Sequence, residues 1–531
     1  MRKILFNVFF LLGLGTAVCA QSQIKRLGED LQYKVDMMGT FSDGQHAPFW
    51  FTSNRYGLGT TANNSGYVRA GIFRQSEMDN AYDWRFGYGA DIAIPFGMQS
   101  PFVLQQLYAD VQWKALRLSV GQKERPLELK NQQLSSGALT SGINARPLPQ
   151  VRLELPEFLS IPGTKDWLAI KGHLAYGAYT DNQWQRKFND GNTKYLYSAN
   201  SLYHSKAGFL RVGNVERFPI SLTGGIEMSC QFGGEAWNLF DRADHVGEFD
   251  THQKMGHGLK QFWQAFIPGG SDANDGDFHN ASGNQLGSWH LSLDYQGKGW
   301  KARAYAEHFF DDHSQMFWQY PWKDMLYGIE VELPKNPVLG TVLYEYVRTD
   351  DQSGSIYRDA TPVLPEQISA IDNYYNHHVY GAWQHAGFTM STPLVISPLY
   401  NNDNRIFCYD NRIRAHHFGL SGNPCQQIGY RVLFTHERSL GTYLSPHTDP
   451  RYGNFLLLEA SYTPTWLKGL QFTVSYGQNG GQNGGQLLGR SHGGMLTVSY
   501  NGWINPHKSA QKKVRGPLSK LISEVNEYLN L

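Results

Sequence analysis

The chain has 531 residues, with 47 Lys and Arg against 46 Asp and Glu and a net charge of +1. That balance offers no basic footprint, which excludes nucleic acid from the expected partners. Charged residues make up only 18%, below the roughly 25% of soluble domains, while aromatics reach 14% and glycines number 56. Such a composition suits strands that turn apolar side chains to lipid and polar ones to a lumen.

The chain opens with Met1-Arg2-Lys3, followed by an apolar run over 4–14 and the small-residue site Val18-Cys19-Ala20. This reads as an export signal cleaved before Gln21. The run is too short to cross a bilayer as a helix, and Val18 before Cys19 speaks against lipidation. Residues 21–31 are expected to be a short periplasmic segment, 32–504 an outer-membrane β-barrel, and 505–531 a helical tail.

Period-2 alternation dominates the chain beyond the export signal. At 84–94, Trp84, Phe86, Tyr88, Ala90, Ile92 and Ile94 alternate with Arg85, Gly87, Gly89, Asp91 and Ala93. The same pattern covers 221–231, where Leu222, Ile226, Met228 and Cys230 share one face, and 288–296, where Trp289, Leu291, Leu293 and Tyr295 do. Further stretches lie near 104–113, 116–121, 168–178, 326–333, 428–435, 470–477 and 495–500. Alternation alone also fits a sandwich. The export signal, the number of strands and the aromatic brackets (Trp84 with Phe96, Phe102 with Trp113) favour a membrane barrel. At about 10 residues per membrane strand and about 15 per connection, the chain holds on the order of 18 to 20 strands. The polar stretches 181–205 and 235–285 are expected to be extracellular loops or a lumen plug, and the Gly-rich 478–486 a flexible hairpin loop. In the tail, Leu518, Leu521, Ile522, Val525 and Leu529 have helical spacing after Pro517.

Catalytic signatures such as Gly-x-Ser-x-Gly and His-Glu-x-x-His are lacking. His377-His378 and His416-His417 sit next to each other, and strand neighbours face opposite ways, so neither pair chelates one metal; no metal or cofactor is expected. After cleavage three cysteines remain. Cys408 and Cys425 could close one loop, or all three could stand apart with Cys230 facing lipid. The acidic groups Glu307, Asp311 and Glu345 could serve a glycoside hydrolase. The simpler reading makes Arg303, Glu307 and Glu345 polar lumen residues, with Arg303 pairing Glu307.

Irregular stretches rich in Asn, Arg, Trp and Tyr stand out: His46-Ala47-Pro48-Phe49-Trp50-Phe51 with Asn54-Arg55-Tyr56-Gly57, then Asn144-Ala145-Arg146-Pro147-Leu148-Pro149, Gly283-Asn284-Gln285-Leu286-Gly287-Ser288-Trp289, and Asn373-Tyr374-Tyr375-Asn376-His377 with Trp383. Aromatic faces stack on sugar rings, and amides and guanidinium groups meet hydroxyls or carboxylates. With these motifs, from about residue 30 to 503, the sequence resembles the Wzi-type capsule assembly proteins. The resemblance implies an outer-membrane barrel of roughly 18 antiparallel strands, closed to free diffusion. It also implies a non-enzymatic, lectin-like role in attaching capsular or exopolysaccharide at the cell surface. One departure is the short 21–31 segment, which leaves no room for an N-terminal helical bundle.

The expected sugar contacts are Asn54, Arg55, Asn144, Arg146, Trp263, Asn376, His377 and Trp383. Expected partners are the polysaccharide, outer-membrane lipids and polysaccharide export machinery. The alternatives are a transport pore and an outer-membrane lipid or glycan hydrolase.

Overall fold

The computed structural model describes residues 27–79, 83–189, 195–239, 252–267, 283–311, 316, 322–352, 372–481 and 486–506. The expected export signal, and the expected helical tail beyond Pro506, lie outside the described residues.

Eighteen strands form one antiparallel sheet. They are β1 (Leu31–Gly44), β2 (Asn64–Arg74), β3 (Trp84–Phe96), β4 (Val103–Trp113), β5 (Leu116–Gln122) and β6 (Pro149–Ser160). β7 (Leu168–Ala178), β8 (Leu202–Val212), β9 (Ile220–Phe232), β10 (Asn284–Gln296), β11 (Lys301–Asp311) and β12 (Met325–Glu332) come next. The last six are β13 (Thr341–Arg348), β14 (Ile413–Cys425), β15 (Ile428–Gly441), β16 (Pro446–Tyr462), β17 (Leu470–Gly480) and β18 (Ser491–Ile504). Each strand pairs with the next. β18 closes the ring on β1, in a register running from Leu31–Ile504 to Gly44–Ser491. Closure leaves no strand edge unpaired, as a hydrocarbon environment demands.

The alternation becomes an inversion of the soluble pattern. Along β3, Ile92, Ile94 and Phe96 are exposed while Asp91 and Ala93 are buried. Val35, Val68, Leu153, Leu222, Leu291 and Val474 are likewise exposed on the outer face. A continuous apolar exterior of this size has lipid as its solvent.

Connections differ by end. Those after even-numbered strands are short: 114–115 between β4 and β5, 426–427 between β14 and β15, and 75–83 at the longest. In the 463–469 turn Gly469 has φ +87°, and a Cβ there would meet the Asn501 carbonyl oxygen at 1.9 Å. Connections after odd-numbered strands include 45–63, 123–148, 179–201, 233–283 and 349–412. Periplasmic turns are the short ones, so the long connections emerge on the extracellular side. Exposed Trp84, Trp113, Trp167, Trp300, Trp466 and Trp503 all sit at the short-turn end. They form an indole girdle at that membrane interface. Phe41, Phe96 and Phe102 mark the other rim.

Three of the long connections, 45–63, 123–148 and 372–412, turn inward and fill the lumen. Phe49, Leu134, Leu139, Tyr375, Trp383 and Leu394, at least one from each segment of the plug, are almost wholly buried in one cluster with strand residues such as Phe455 and Phe309. The helix α1 (Phe49–Thr52) belongs to the first segment and α2 (Asn182–Phe188) to the 179–201 connection. The two stretches expected as loops or a plug, 181–205 and 235–285, both contribute to a small sheet (Tyr197–Ala199, Glu235–Trp237, His252–Lys254) at the extracellular end.

A helix, α3 (Leu259–Phe266), packs on the outside of the barrel. Its Phe262 carbonyl accepts a hydrogen bond from Tyr176, and Ala265 buries against Leu202, Cys230 and Phe232. Cys230 thus lies on the outward face but is shielded from lipid by α3. Cys408 and Cys425 are both free. The whole of β14 separates them, Cys408 preceding its extracellular end and Cys425 closing its short-turn end.

The exterior assignment makes a prediction. Ile329 is outward in mid-β12 and Leu444 lies in the 442–445 connection, both well exposed. Ile329→Arg should cost about 2–4 kcal/mol and Leu444→Arg about 0–1 kcal/mol. Urea unfolding in lipid vesicles measures the difference; equal losses at both positions would refute the membrane placement.

Candidate functional site

Inward side chains of β11 to β16 hold the plug through carboxylates and rings. Glu345 of β13 is fully buried and accepts four hydrogen bonds: from Ser135 Oγ at 2.7 Å, the Ser136 N–H at 2.7 Å, Ser136 Oγ at 2.5 Å and Tyr305 OH at 2.5 Å. Glu307 of β11 pairs with Lys130 and accepts the Leu139 N–H at 2.8 Å. Asn131 donates to Glu330 at 2.7 Å, and the Tyr375 N–H to Asp311 at 3.0 Å. Phe49 stacks on Phe455 with ring centroids 4.3 Å apart, and Trp50 leans on His417. His417 faces inward, whereas its neighbour His416 bonds the exposed side of Tyr344 at 2.8 Å. Among the described residues no group of three or more His, Cys, Asp and Glu is placed to hold a metal ion.

The expected Arg303–Glu307 pair does not form. Arg303 bonds Asp294 at 2.7 Å and reaches Glu330 at 3.8 Å. Four residues along one strand span about 13 Å, so the cross-strand carboxylates and the plug lysine are the nearer partners. Glu307, Asp311 and Glu345, the carboxylates weighed for hydrolysis, each accept hydrogen bonds from the plug.

The three plug segments also lock to one another. Asn144, 1% exposed, accepts the Asn54 N–H at 3.0 Å and donates to Thr389 at 3.1 Å. Asn54 donates its amide to Ser135. Gly57, at φ +68°, passes so close to Arg146 that a Cβ would stand 2.7 Å from its nitrogen. Trp383 is wholly buried, and its indole N–H donates to the Thr140 carbonyl. Asn376 clamps the third segment by exchanging two hydrogen bonds with the backbone of Cys408. His377 accepts the Val379 N–H at 3.1 Å and stacks on His378.

Of the remaining expected contacts, Arg55 is desolvated, with its Nε unpartnered; burial lowers its pKa while Glu459 opposes the shift. Trp263 is exposed on α3, away from the lumen, with Leu259 and Ile267. Arg146, by contrast, lines a cavity.

That cavity, of about 190 Å³, lies between the second plug segment and the β5–β9 wall. Most of its residues were not singled out in the sequence, because they come from five strands and three plug segments. Arg117, Glu154, His173 and Glu227 lie along one paired row of that wall. A second pocket of about 30 Å³, beside Met98, Gln99 and Trp184, also touches Arg146.

Fold and interior together define an outer-membrane-type β-barrel with a filled lumen. No protein-family model and no curated protein matches the chain. Among solved structures it is similar to Wzi of Escherichia coli, an outer-membrane protein involved in group 1 capsule assembly and described as a carbohydrate-binding β-barrel. The TM-score is 0.53 and the identity 13%, over 91% of this chain and 86% of that one. It is also similar to the outer-membrane protein OprD of Pseudomonas aeruginosa (TM-score 0.43, 10% identity, 90% and 94% of the two chains). OccAB2 of Acinetobacter baumannii gives 0.43 and 9%, over 89% and 98%. At these identities the likeness shows the fold.

The seating of the plug is testable at its lysine latch. Lys130 and Glu307 are both buried, and removing one member of such a pair costs about 3–5 kcal/mol. Lys130→Met should lose that much in urea unfolding, and Lys130→Met with Glu307→Gln should recover part of it. A wild-type midpoint for Lys130→Met would show that the latch does not hold the plug.

Acid should loosen the same plug. Burial holds His377, His378 and His385 below the ordinary histidine value. The Thr180 N–H points at His385 Nε2, so that nitrogen is an acceptor and Nδ1–H donates to the Arg146 carbonyl at 2.8 Å. Above pH 6.5 both the folded and the released plug carry neutral rings. As the pH falls through 6.5 the released plug binds protons that the folded one refuses, so plug stability falls. Amide protection across 373–412, taken relative to the intrinsic exchange rate at each pH, should therefore fall between pH 6.5 and 5, and less so in His385→Gln.

Proposed function

We propose that the protein holds a capsular or exopolysaccharide at the outer face of the outer membrane, without catalysis. The observation that carries this reading is the filled lumen. Three extracellular connections build a rigid interior, which suits a holder at the surface better than a conduit. The extracellular end offers stacked rings and guanidinium groups, such as Trp237 on His252 at 3.6 Å and Arg405 over Tyr195 at 4.5 Å. Rings of this kind stack on sugars. The likeness to Wzi, itself described as carbohydrate-binding, points the same way.

In this reading Asn54, Asn144, Asn376, His377 and Trp383 set the shape of the platform, Arg55 adds charge within it, and Arg146 touches the sugar. Trp263 faces outer-leaflet lipid. Cleavage before Gln21 delivers the chain, and export machinery is the further partner.

The test is deletion of the gene followed by staining for surface-attached polysaccharide, with purified protein applied to a surface of the same glycan. Retention should fall and the protein should bind. Unchanged retention with no binding overturns the proposal, and large steady currents in planar bilayers would favour a pore instead.

A further inference from the structure

The 190 Å³ cavity has a charge pattern that the plug does not use. Six Arg and Lys line it against four Glu, a formal surplus of two positive charges. The carboxylates are already committed. Glu154 is shared by Arg117 at 2.8 Å and Arg152 at 2.6 Å. Glu124 meets Arg69 at 2.9 Å and Glu128 meets Lys171 at 2.7 Å. Glu227 stands 3.7 Å from His290. Among the described residues two of the guanidinium groups, Arg125 and Arg146, form no direct ion pair with a carboxylate. Arg125 donates to the Lys123 carbonyl at 3.1 Å and to Ser119 Oγ at 3.3 Å. Arg146 has a buried Nε with no hydrogen-bond partner.

We propose that this cavity is a subsite for one acidic sugar unit, whose carboxylate is received by Arg125 and Arg146. The inference rests on the polysaccharide-holding reading and adds the class of sugar. A desolvated guanidinium is costly unless paired, and its planar fork matches a carboxylate with two parallel bonds. Burial and the like charge of Arg152 push Arg125 down to about 10; a bound anion would relieve both. Volume sets the size of the ligand. Pockets for drug-sized ligands start near about 300 Å³, so this one takes a single ring, with Tyr56 and Tyr203 among its walls. Arg146 borders both this cavity and the small pocket near Trp184.

The experiment is calorimetric titration of the full mature chain in detergent with methyl glucuronide, methyl glucoside and inorganic sulfate. The glucuronide should bind, and the glucoside and sulfate should bind at least about tenfold more weakly, the worth of a charge-assisted hydrogen bond. Arg146→Gln and Arg125→Gln should each weaken the glucuronide by about tenfold or more, and Arg146→Lys by less. Should one Gln variant fail to give a wild-type urea midpoint, the other and Arg146→Lys carry the test. No glucuronide binding to the wild type, equal binding of glucoside, sulfate as tight as the glucuronide, or indifference of the folded variants each overturns the subsite. If polysaccharide retention depends on the gene while the glucuronide fails to bind, the subsite falls and the holding function stands. If the glucuronide binds as described while retention is independent of the gene, the reverse holds.

Discussion

Glu307 and Glu345 stand fully buried on the inner faces of β11 and β13. There an ionised carboxylate costs several kcal/mol unless its lone pairs are met. In an open lumen water would meet them. In this protein the second plug segment does, through Lys130, Ser135, Ser136 and Leu139. Once that segment is seated, the other two have surfaces to pack on. Tyr375 donates to the Leu139 carbonyl, Trp383 to Thr140, and Asn144 ties Asn54 to Thr389. The first segment closes the arrangement by stacking Phe49 on Phe455 and donating its N–H to Asn479. The interior is thus a chain of dependencies that begins at two wall carboxylates.

The exterior obeys a different constraint. Hydrocarbon offers no hydrogen bonds, so the strands must satisfy one another around a closed ring, and their outward residues need only be apolar. This is why the barrel was legible in the sequence. Alternation at 84–94, 221–231 and 288–296 reports directly which face is lipid, and β3, β9 and β10 turn those faces outward. The bracketing of Trp84 by Phe96 is the distance between the two rims of one strand.

The plug was not legible, although its motifs were noticed. A stretch such as 46–57, with Pro, Phe, Trp, Asn and Arg, has the composition of an exposed recognition loop and of a buried strap alike. Its direction is decided by partners remote in sequence. Phe49 bonds Asn479, 430 residues away, and Ser136 bonds Glu345, 209 residues away. No local period encodes such pairings. The same blindness explains Arg303: neighbours along the strand suggested Glu307, whereas the sheet offers Asp294 and Glu330. It also explains why Trp383 reads as a sugar platform in sequence and is a buried wedge in the fold.

A filled lumen changes what the barrel's walls are for. In a hollow barrel, inward charges tune what passes, and each is solvated on its own. Here wall charges are met by one another, as Arg69 by Asp91 and Arg431 by Glu459, or by the plug, as Glu307 by Lys130. On the β11–β13 side the plug reaches the wall: Glu307, Glu330 and Glu345 all have plug partners. On the β5–β9 side it does not. The plug backs away from the wall, the cavity opens, and Arg125 and Arg146 face it with no direct ion pair to a carboxylate among the described residues. A protein selected only to seal its lumen would gain by closing that gap with apolar side chains, since buried charges are poor sealants. That asymmetry is the feature on which the proposed subsite stands.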